Sequence, residues 1–552
     1  MEAWWNEQNP EEVYYIATYN WEPELGVVMP YATEVYGYYS AFGNGYVPFF
    51  GVIGAGNIYM HGGNDWQNAT NAVPDAVASF VISASLTSNI QTGPPALGVQ
   101  FQSMSYSPDG DIISWLWDFG DGTTSSEENP YHLYETPGTY DVYLQVSDGA
   151  EVADVLEMSY VVVSNTSDIS GETSGIWRTE LSPYNISDDL LIPEGCTVEI
   201  EPGVEIISDN GSLFSVYGKL LADASEGEPI IFSTESVWDG IKFSYTTEAN
   251  IINNCQISGA TVNAISVNNS KVDIIGNTFF DNSSMSSTGA SIAVNNSDDV
   301  LISENVISNN ENSNMTGGIS CSNSSPEISY NIIVNNSGKY GAFSFISDSN
   351  PTVENNTIAN NLGTTALMFV FSSDPTIKNS IVIDNGTIFH IILGEPIISY
   401  NCISGGYDGT GNIDEDPLFS NPTAGDGADF DGLSADWNLT SASPCIDAGD
   451  PNSPLDPDGT IADMGALYYA QDTETIYGDV NGDALITSYD AALTLQYSAG
   501  LISDWTEDQI TAGDVNGDEN ISSYDAALIL QYSAGLIDEF PVEGGKASTN
   551  VD

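Results

Sequence analysis

Ile302-Ser303-Glu304-Asn305-Val306-Ile307 is echoed by Ile328-Ser329-Tyr330-Asn331-Ile332-Ile333 and again by Val353-Glu354-Asn355-Asn356-Thr357-Ile358. Each copy reads apolar–x–x–Asn–x–apolar. Aligned on the fourth position, the units place Cys255, Asn277, Asn305, Asn331, Asn356, Ser380 and Asn401 at spacings of 22, 28, 26, 25, 24 and 21 residues. A period in the twenties built of short β runs is the signature of a solenoid, in which no unit buries its apolar face alone. Stacked units point those runs into a shared core, and successive Asn side chains satisfy the main chain at the bend. Pro326, Pro351, Pro375 and Pro396 mark the same point of four successive turns. Seven such coils, at roughly 4.8 Å per strand spacing, would rise about 30 Å.

Upstream, Ile192-Pro193-Glu194-Gly195-Cys196-Thr197-Val198-Glu199-Ile200, residues 213–221 and Pro229-Ile230-Ile231-Phe232 lead into the repeat. Leu does not recur at fixed offsets, which disfavours a leucine-rich repeat. The pattern over 170–470 resembles the right-handed parallel β-helix family. Downstream, Asp416-Pro417-Leu418-Phe419, Ser443-Pro444-Cys445-Ile446-Asp447-Ala448-Gly449-Asp450 and Asp463-Met464-Gly465-Ala466 resemble the closing region of secreted bacterial β-helix proteins. A terminal cap is expected there, since the last coil otherwise exposes an open edge.

The whole chain has 552 residues with 7 Lys+Arg against 78 Asp+Glu, a formal net charge of −71. Length alone gives a prior of three to four domains. So few cations exclude nucleic acid and a polybasic membrane anchor. The charged fraction is only 15% and the hydrophobic fraction 41%, enough for packed cores. No apolar run reaches the ~18 residues of a membrane span. Five scattered cysteines (Cys196, Cys255, Cys321, Cys402 and Cys445) form no C-x-x-C pair, so they read as buried thiols rather than a zinc site or disulfide framework.

Residues 1–80 read as mixed α/β, with a strand at Val13–Ala17, a tyrosine-rich helix-like stretch at 31–40, and a hairpin around Gly54-Ala55-Gly56-Asn57. Pro48 opening a strand before that hairpin resembles the C-terminal half of a thioredoxin-like domain. The redox C-x-x-C of that family is missing here. The sequence is therefore expected to start inside a longer protein, with leader and redox motif upstream. Residues 85–164 alternate apolar and polar like a β-sandwich. Trp115-Leu116-Trp117-Asp118-Phe119-Gly120-Asp121-Gly122, Asn129-Pro130-Tyr131-His132 and Pro137-Gly138-Thr139-Tyr140-Asp141-Val142 closely resemble the PKD domain, an immunoglobulin-like extracellular module. His132 reads as a packing residue and the module as a spacer.

Residues 476–541 hold two near-copies 35 residues apart, GDVNGDALITSYDAALTLQYSAGLI and GDVNGDENISSYDAALILQYSAGLI. Acidic and amide side chains fall at loop positions 1, 3, 5 and 12: Asp479, Asn481, Asp483 and Asp490, then Asp514, Asn516, Asp518 and Asp525. Calcium takes six or more hard oxygens from a loop curled around it, and this spacing supplies them. Position 7, Leu485 and Asn520, would give a main-chain carbonyl; position 9, Thr487 and Ser522, would act through water. With helices expected at 490–499 and 525–534, the pair closely resembles a type I dockerin. The resemblance implies two calcium ions and a cohesin partner facing positions 10 and 11, here Ser488-Tyr489 and Ser523-Tyr524. Position 6, normally Gly for a positive φ, is Ala484 in one loop and Glu519 in the other.

A catalytic set does not emerge. Elimination chemistry wants paired cations, yet Lys219, Lys242, Lys271, Lys339 and Lys378 are scattered. Glycoside hydrolysis wants two carboxylates about 5–9.5 Å apart, and Asp298-Asp299, the one adjacent acidic pair within the repeating coils, reads as a turn. His390, inside Ile388-Phe389-His390-Ile391-Ile392, reads as a satisfied strand residue. The expectation is a multidomain, mainly β, extracellular protein: a thioredoxin-like fragment, a PKD sandwich, a β-helix solenoid and a calcium-binding dockerin. Docking to a cohesin-bearing complex or surface is its leading function, with a solenoid face for polysaccharide. A β-helix hydrolase or lyase and a structural adhesin are the alternatives.

Overall fold

The computed structural model describes residues 82–542 apart from 109–110, 286–288, 290, 384–386, 472–475, 483–484 and 504, together with the backbone of three strands nearer the N-terminus. Those strands, Tyr14–Ala17, Phe50–Ile53 and Tyr59–Gly63, pair antiparallel in chain order, so the expected hairpin is present. Pro48 and the helix-like stretch at 31–40 lie outside the described residues, as does most of what the thioredoxin-like resemblance needs. The chain divides into two compact units, residues Met1–Asp456 with Ile461–Tyr469, and Pro457–Thr460 with Ala470–Asp552.

In the first unit, residues from Leu86 to Val163 form a sandwich of one three-stranded and one five-stranded sheet. Alternation along Ser114–Asp118 turns Trp117 inward, where it is fully buried against Phe101, with Phe119 beside them. Trp115, two positions earlier on the same strand, is only partly buried. His132 stacks on Phe119 at 4.1 Å, meets the edge of Tyr134 at 4.6 Å and bonds Asp121 at 2.7 Å. The sandwich is fastened to the solenoid, since the Ile176 N–H donates to the Ala96 carbonyl and Arg178 grips both oxygens of Glu135.

The solenoid is wholly parallel. One face is a sheet of ten strands running from Gly175–Trp177 to Ile397–Ser399, and the rest of the wall is one continuous sheet of 21 strands. Ten stacked strands make about nine turns rather than the seven counted from Asn positions, rising about 43 Å. The difference lies in the opening segment, whose strands are themselves coils but carry no Asn at the bend. Inward positions form continuous columns, such as Ile252, Ile274, Ile302, Ile328, Val353, Ile377 and Ile398 in direct register. All are buried. β-Branched side chains suit this geometry because identical shapes repeat along each column.

Three internal polar ladders hold the bends. Each Asn of the repeat accepts, through Oδ1, the N–H of the equivalent residue one coil earlier: Asn277 from Cys255, Asn305 from Asn277, Asn331 from Asn305 and Asn356 from Asn331, at 2.8–3.0 Å. Ser380, Asn401 and Asn412 continue the series. The residue before each rung is left-handed, including Glu304, Tyr330 and Asn355, which turns the following side chain inward. A second Asn ladder (Asn282, Asn310, Asn336, Asn361) and a serine ladder (Ser270, Ser297, Ser324, Ser349, Ser373) run parallel to it.

The segment after the last coil closes the end and then runs back along the side. Ile413 bridges to Cys402 over the terminal coil. Residues 423–432 then lie across three coils, where Asn309, Asn335 and Asn360 donate to their carbonyls. Trp437 packs on Val334 and Ala359. The expected cap is thus also a strap.

Candidate calcium loops and docking face

The second unit is built on three helices, α1 (Ser488–Ser498), α2 (Glu507–Gly513) and α3 (Ser523–Ser533). α1 and α3 pack on each other around Ala491, Val515, Leu528, Ile529 and Phe540, with Tyr532 stacked on Phe540 at 4.7 Å. Both long helices begin two residues before the expected Asp. Thr487 and Ser522 are their N-caps, each in extended backbone and each accepting an N–H from the following Tyr at 3.1 Å. Asp490 and Asp525 complete the capping boxes. Oδ2 of each accepts the cap residue's N–H at 2.9 and 3.0 Å and its hydroxyl at 2.9 and 2.8 Å. Position-by-position reading of the loops missed this capping work by positions 9 and 12, though the Thr/Ser-x-x-Asp spacing signals it.

In the second loop, Asp514 Oδ1 accepts the N–H groups of Gly517 and Asp518, at 2.8 and 3.1 Å, and Oδ2 that of Glu519 at 2.8 Å. Asp518 accepts from the Asn516 amide and from the Asn520 N–H, both at 3.0 Å. Gly517 and Glu519 are both left-handed, at φ 74° and 65°. The first loop repeats the curl where described, with Gly482 donating to Asp479 Oδ1 at 2.9 Å and Asn481 to Asp490 Oδ1 at 3.3 Å. Asp483 and Ala484 lie outside the described residues.

These residues suit calcium. Asp490 and Asp525 are fully buried acids, and Oδ1 of Asp525 has no hydrogen-bond partner. A buried orphaned carboxylate oxygen is costly unless a cation takes it. Because Oδ2 caps the helix, each position-12 Asp offers one oxygen, where the Glu of an EF-hand offers two. No group of three or more His, Cys, Asp or Glu side chains is drawn together for a metal among the described residues. The donor set is mixed carboxylate, amide and main-chain oxygen, the hard set that calcium takes.

The outward faces are duplicated. Ser488 and Ser523 are exposed, and Tyr489 and Tyr524 are 60% and 59% exposed. Leu495 and Leu530 stand at 50% and 51%, Leu501 and Leu536 at 75% and 73%. Elsewhere, Asp298 is an exposed turn residue accepting the Ser325 N–H at 2.9 Å, and Lys378 pairs with Glu354 at 2.9 Å. His390 departs from expectation. Its Nδ1 is buried with no partner, beside Phe369 and Tyr340, which stack at 4.5 Å.

Three family models match separate parts of the chain. Residues 84–163 match the family model of the PKD domain, 477–532 that of the dockerin type I domain, and 230–364 and 285–416 that of the right-handed beta helix region. Collagenase ColQ1 of Bacillus cereus (strain Q1) is 58% identical over 52 residues, covering 9% of this chain and 5% of the relative. Microbial collagenase of Vibrio alginolyticus is 38% identical over 95 residues, covering 17% of this chain and 11% of the relative. The chain therefore spans a small part of these relatives. Among solved structures, the third cohesin ScaC in complex with the ScaB dockerin from Acetivibrio cellulolyticus matches at 41% identity, covering 12% of this chain and 96% of that one, with TM-score 0.12. The PKD1 domain of Vibrio cholerae metalloprotease PrtV matches at 31% identity, covering 15% and 99%, with TM-score 0.13.

Proposed function

We propose that the chain is an extracellular modular protein that docks through residues 476–541 onto a cohesin-bearing complex or surface, with one calcium ion in each loop. The observation that carries this reading is the pairing of two near-identical exposed faces with acid-rich loops, one holding a buried orphaned carboxylate oxygen. Calcium neutralises each loop, fixes the start of its helix and thereby presents Ser488-Tyr489 and Ser523-Tyr524 to the partner. The dockerin type I match over 477–532 supports the same reading.

The solenoid is the cargo. Its ten-stranded sheet turns Asp273, Leu301, Glu327, Thr352, Thr376 and Ile397 outward in one register column, the surface a polysaccharide or wall component would meet. Polysaccharide breakdown is the process this assembly would serve.

The test is calorimetric titration of the full chain with calcium, then with a type I cohesin in calcium and in excess chelator. Two calcium equivalents and cohesin binding lost in chelator are expected. Calcium heat without cohesin binding, or equal cohesin binding in chelator, overturns the docking role.

A further inference from the structure

All five cysteines are buried, and three of them sit apart. Cys196 Sγ accepts from the Asn89 amide at 3.1 Å, Cys255 Sγ donates to the carbonyls of Asn253 and Ala222, and Cys321 lies in the apolar core. The other two meet. Cys402 opens the last strand of the solenoid and Cys445 lies in the closing segment, 43 positions on, yet both enter one small buried cluster, where Cys402 Sγ donates to the Glu415 carbonyl at 3.1 Å and each thiol shifts the titration of the other. Both are 0% exposed, within a cluster that includes Ile381, Leu439 and Met464. Their main chains are held independently. The Cys402 N–H donates to Ser380 O at 2.9 Å, the Met464 N–H to Cys445 O at 3.0 Å and the Cys445 N–H to Ser443 Oγ at 3.1 Å.

We infer that Cys402 and Cys445 form a disulfide in the mature protein, a covalent staple between the last coil and the segment that closes it. Both anchors are already placed within that one cluster, which is where a bond between the two sulfurs would lie. The bond lies where a solenoid frays first, at its terminal coil. In the reaction the Cys402 thiolate attacks a disulfide oxidant such as oxidised glutathione, forming a mixed disulfide and releasing one glutathione thiolate. The Cys445 thiolate then displaces the second. Two protons and two electrons leave the protein, and the oxidant becomes two thiols. Burial in a dry cluster means that exchange precedes closure of the end. The inference rests on the proposed function only in taking the chain to mature in an oxidising compartment.

The experiment uses the full chain, reduced in denaturant and refolded in a buffer of reduced and oxidised glutathione, then denatured and alkylated without reductant. Alkylation of three of the five cysteines is expected. An aspartate-specific digest is expected to contain one peptide pair, carrying Cys402 and Cys445, that separates on reduction. Protease cleavage within residues 404–469 of the refolded protein is expected to be at least tenfold slower than in protein refolded without oxidant, on the order of 1.4 kcal/mol of added protection. Five alkylated cysteines, a bond between any other pair, or separate glutathione adducts on Cys402 and Cys445 overturn the staple. The thiol count needs neither calcium nor cohesin. A failed docking experiment therefore leaves it untouched, and a count of five leaves docking untouched.

Discussion

Oδ2 of Asp525 accepts both the N–H and the hydroxyl of Ser522, at 3.0 and 2.8 Å, while Oδ1 of the same carboxylate is buried without a partner. One residue thus starts a helix with one oxygen and offers the other to a cation. Asp525→Asn keeps an acceptor for the cap but weakens the ligand. Calorimetry of the variant is expected to show one calcium site unchanged and the other weakened at least tenfold, on the order of 1.4 kcal/mol. Two unchanged sites would remove Asp525 from the ligand set.

Glu519 holds φ 65° at loop position 6, a conformation that costs an L-residue about 1 kcal/mol. Glu519→Gly is expected to tighten calcium at that loop about fivefold, because the strained turn is fixed when the loop closes on the ion and glycine removes its cost. Glu519→Gln removes the charge while keeping the strain, so it is expected to weaken binding slightly. Equal effects from the two variants would assign the change to charge.

Asn331 is the middle rung of the first ladder. Its amide donates to Ile302 O, Ser329 O and Asn356 Oδ1, at 2.8–2.9 Å, and its Oδ1 accepts from Asn305. Asn331→Ala strands several buried groups in two coils, at about 3 kcal/mol. Hydrogen exchange is expected to speed up at the amides of residues 302–307 and 328–333. The exposed Asn314→Ala, which loses one bond to the Met285 carbonyl, is expected to stay within roughly 0.5 kcal/mol. Similar effects at the two sites would refute the ladder as a source of stability.

The Asn spacing made the solenoid readable because each rung must satisfy one bend, so chemistry and period coincide in the sequence. The coils before Cys255 escaped, since apolar strands such as Ser212–Val216 carry no polar side chain repeated at a fixed spacing. The strap could not be read either. Asn309 meets Phe430 121 positions away, and nothing local encodes that contact. In the loops, the acidic spacing pointed to candidate ligands, but the helix starts at Ser488 and Ser523 were set by capping at Thr487 and Ser522. Five scattered cysteines concealed that Cys402 and Cys445 share one buried cluster only after the chain has folded back.

Two carboxylates give the first unit opposite pH responses. Burial alone would lift Asp121, but hydrogen bonds from Thr123 and His132 hold it below the ordinary 3.8. A depressed folded value gives stability that is present above the ordinary value and lost as pH falls through the lowered one. Asp463, buried near Asp456 and Asp447, is pushed up to about 6 despite N–H bonds from Tyr469 and Asp447. A raised folded value gives stability that is full below 3.8 and lost as pH rises through about 6. Hydrogen-exchange protection at Thr123 is therefore expected to fall below pH ~4, and at Met464 to fall between pH ~4 and ~6. Asp121→Asn and Asp463→Asn are each expected to flatten only their own response. A Met464 profile unchanged by Asp463→Asn would assign the closing segment's pH response to another group.

The duplicated faces predict a non-additive response to substitution. Tyr489 and Tyr524 stand at matching exposure on equivalent helix starts, so either helix offers the partner the same surface. Removing one Tyr abolishes one of two equivalent modes, and Tyr489→Ala alone is expected to raise the cohesin Kd only about twofold. Tyr524→Ala alone is expected to do the same. Together they remove an exposed aromatic anchor from both modes, at about 2 kcal/mol or more, a loss of roughly thirtyfold. Calorimetry with a type I cohesin measures all three chains under one calcium concentration. A single substitution that matches the double one would show that only one face docks, and that the second copy is retained for folding with calcium.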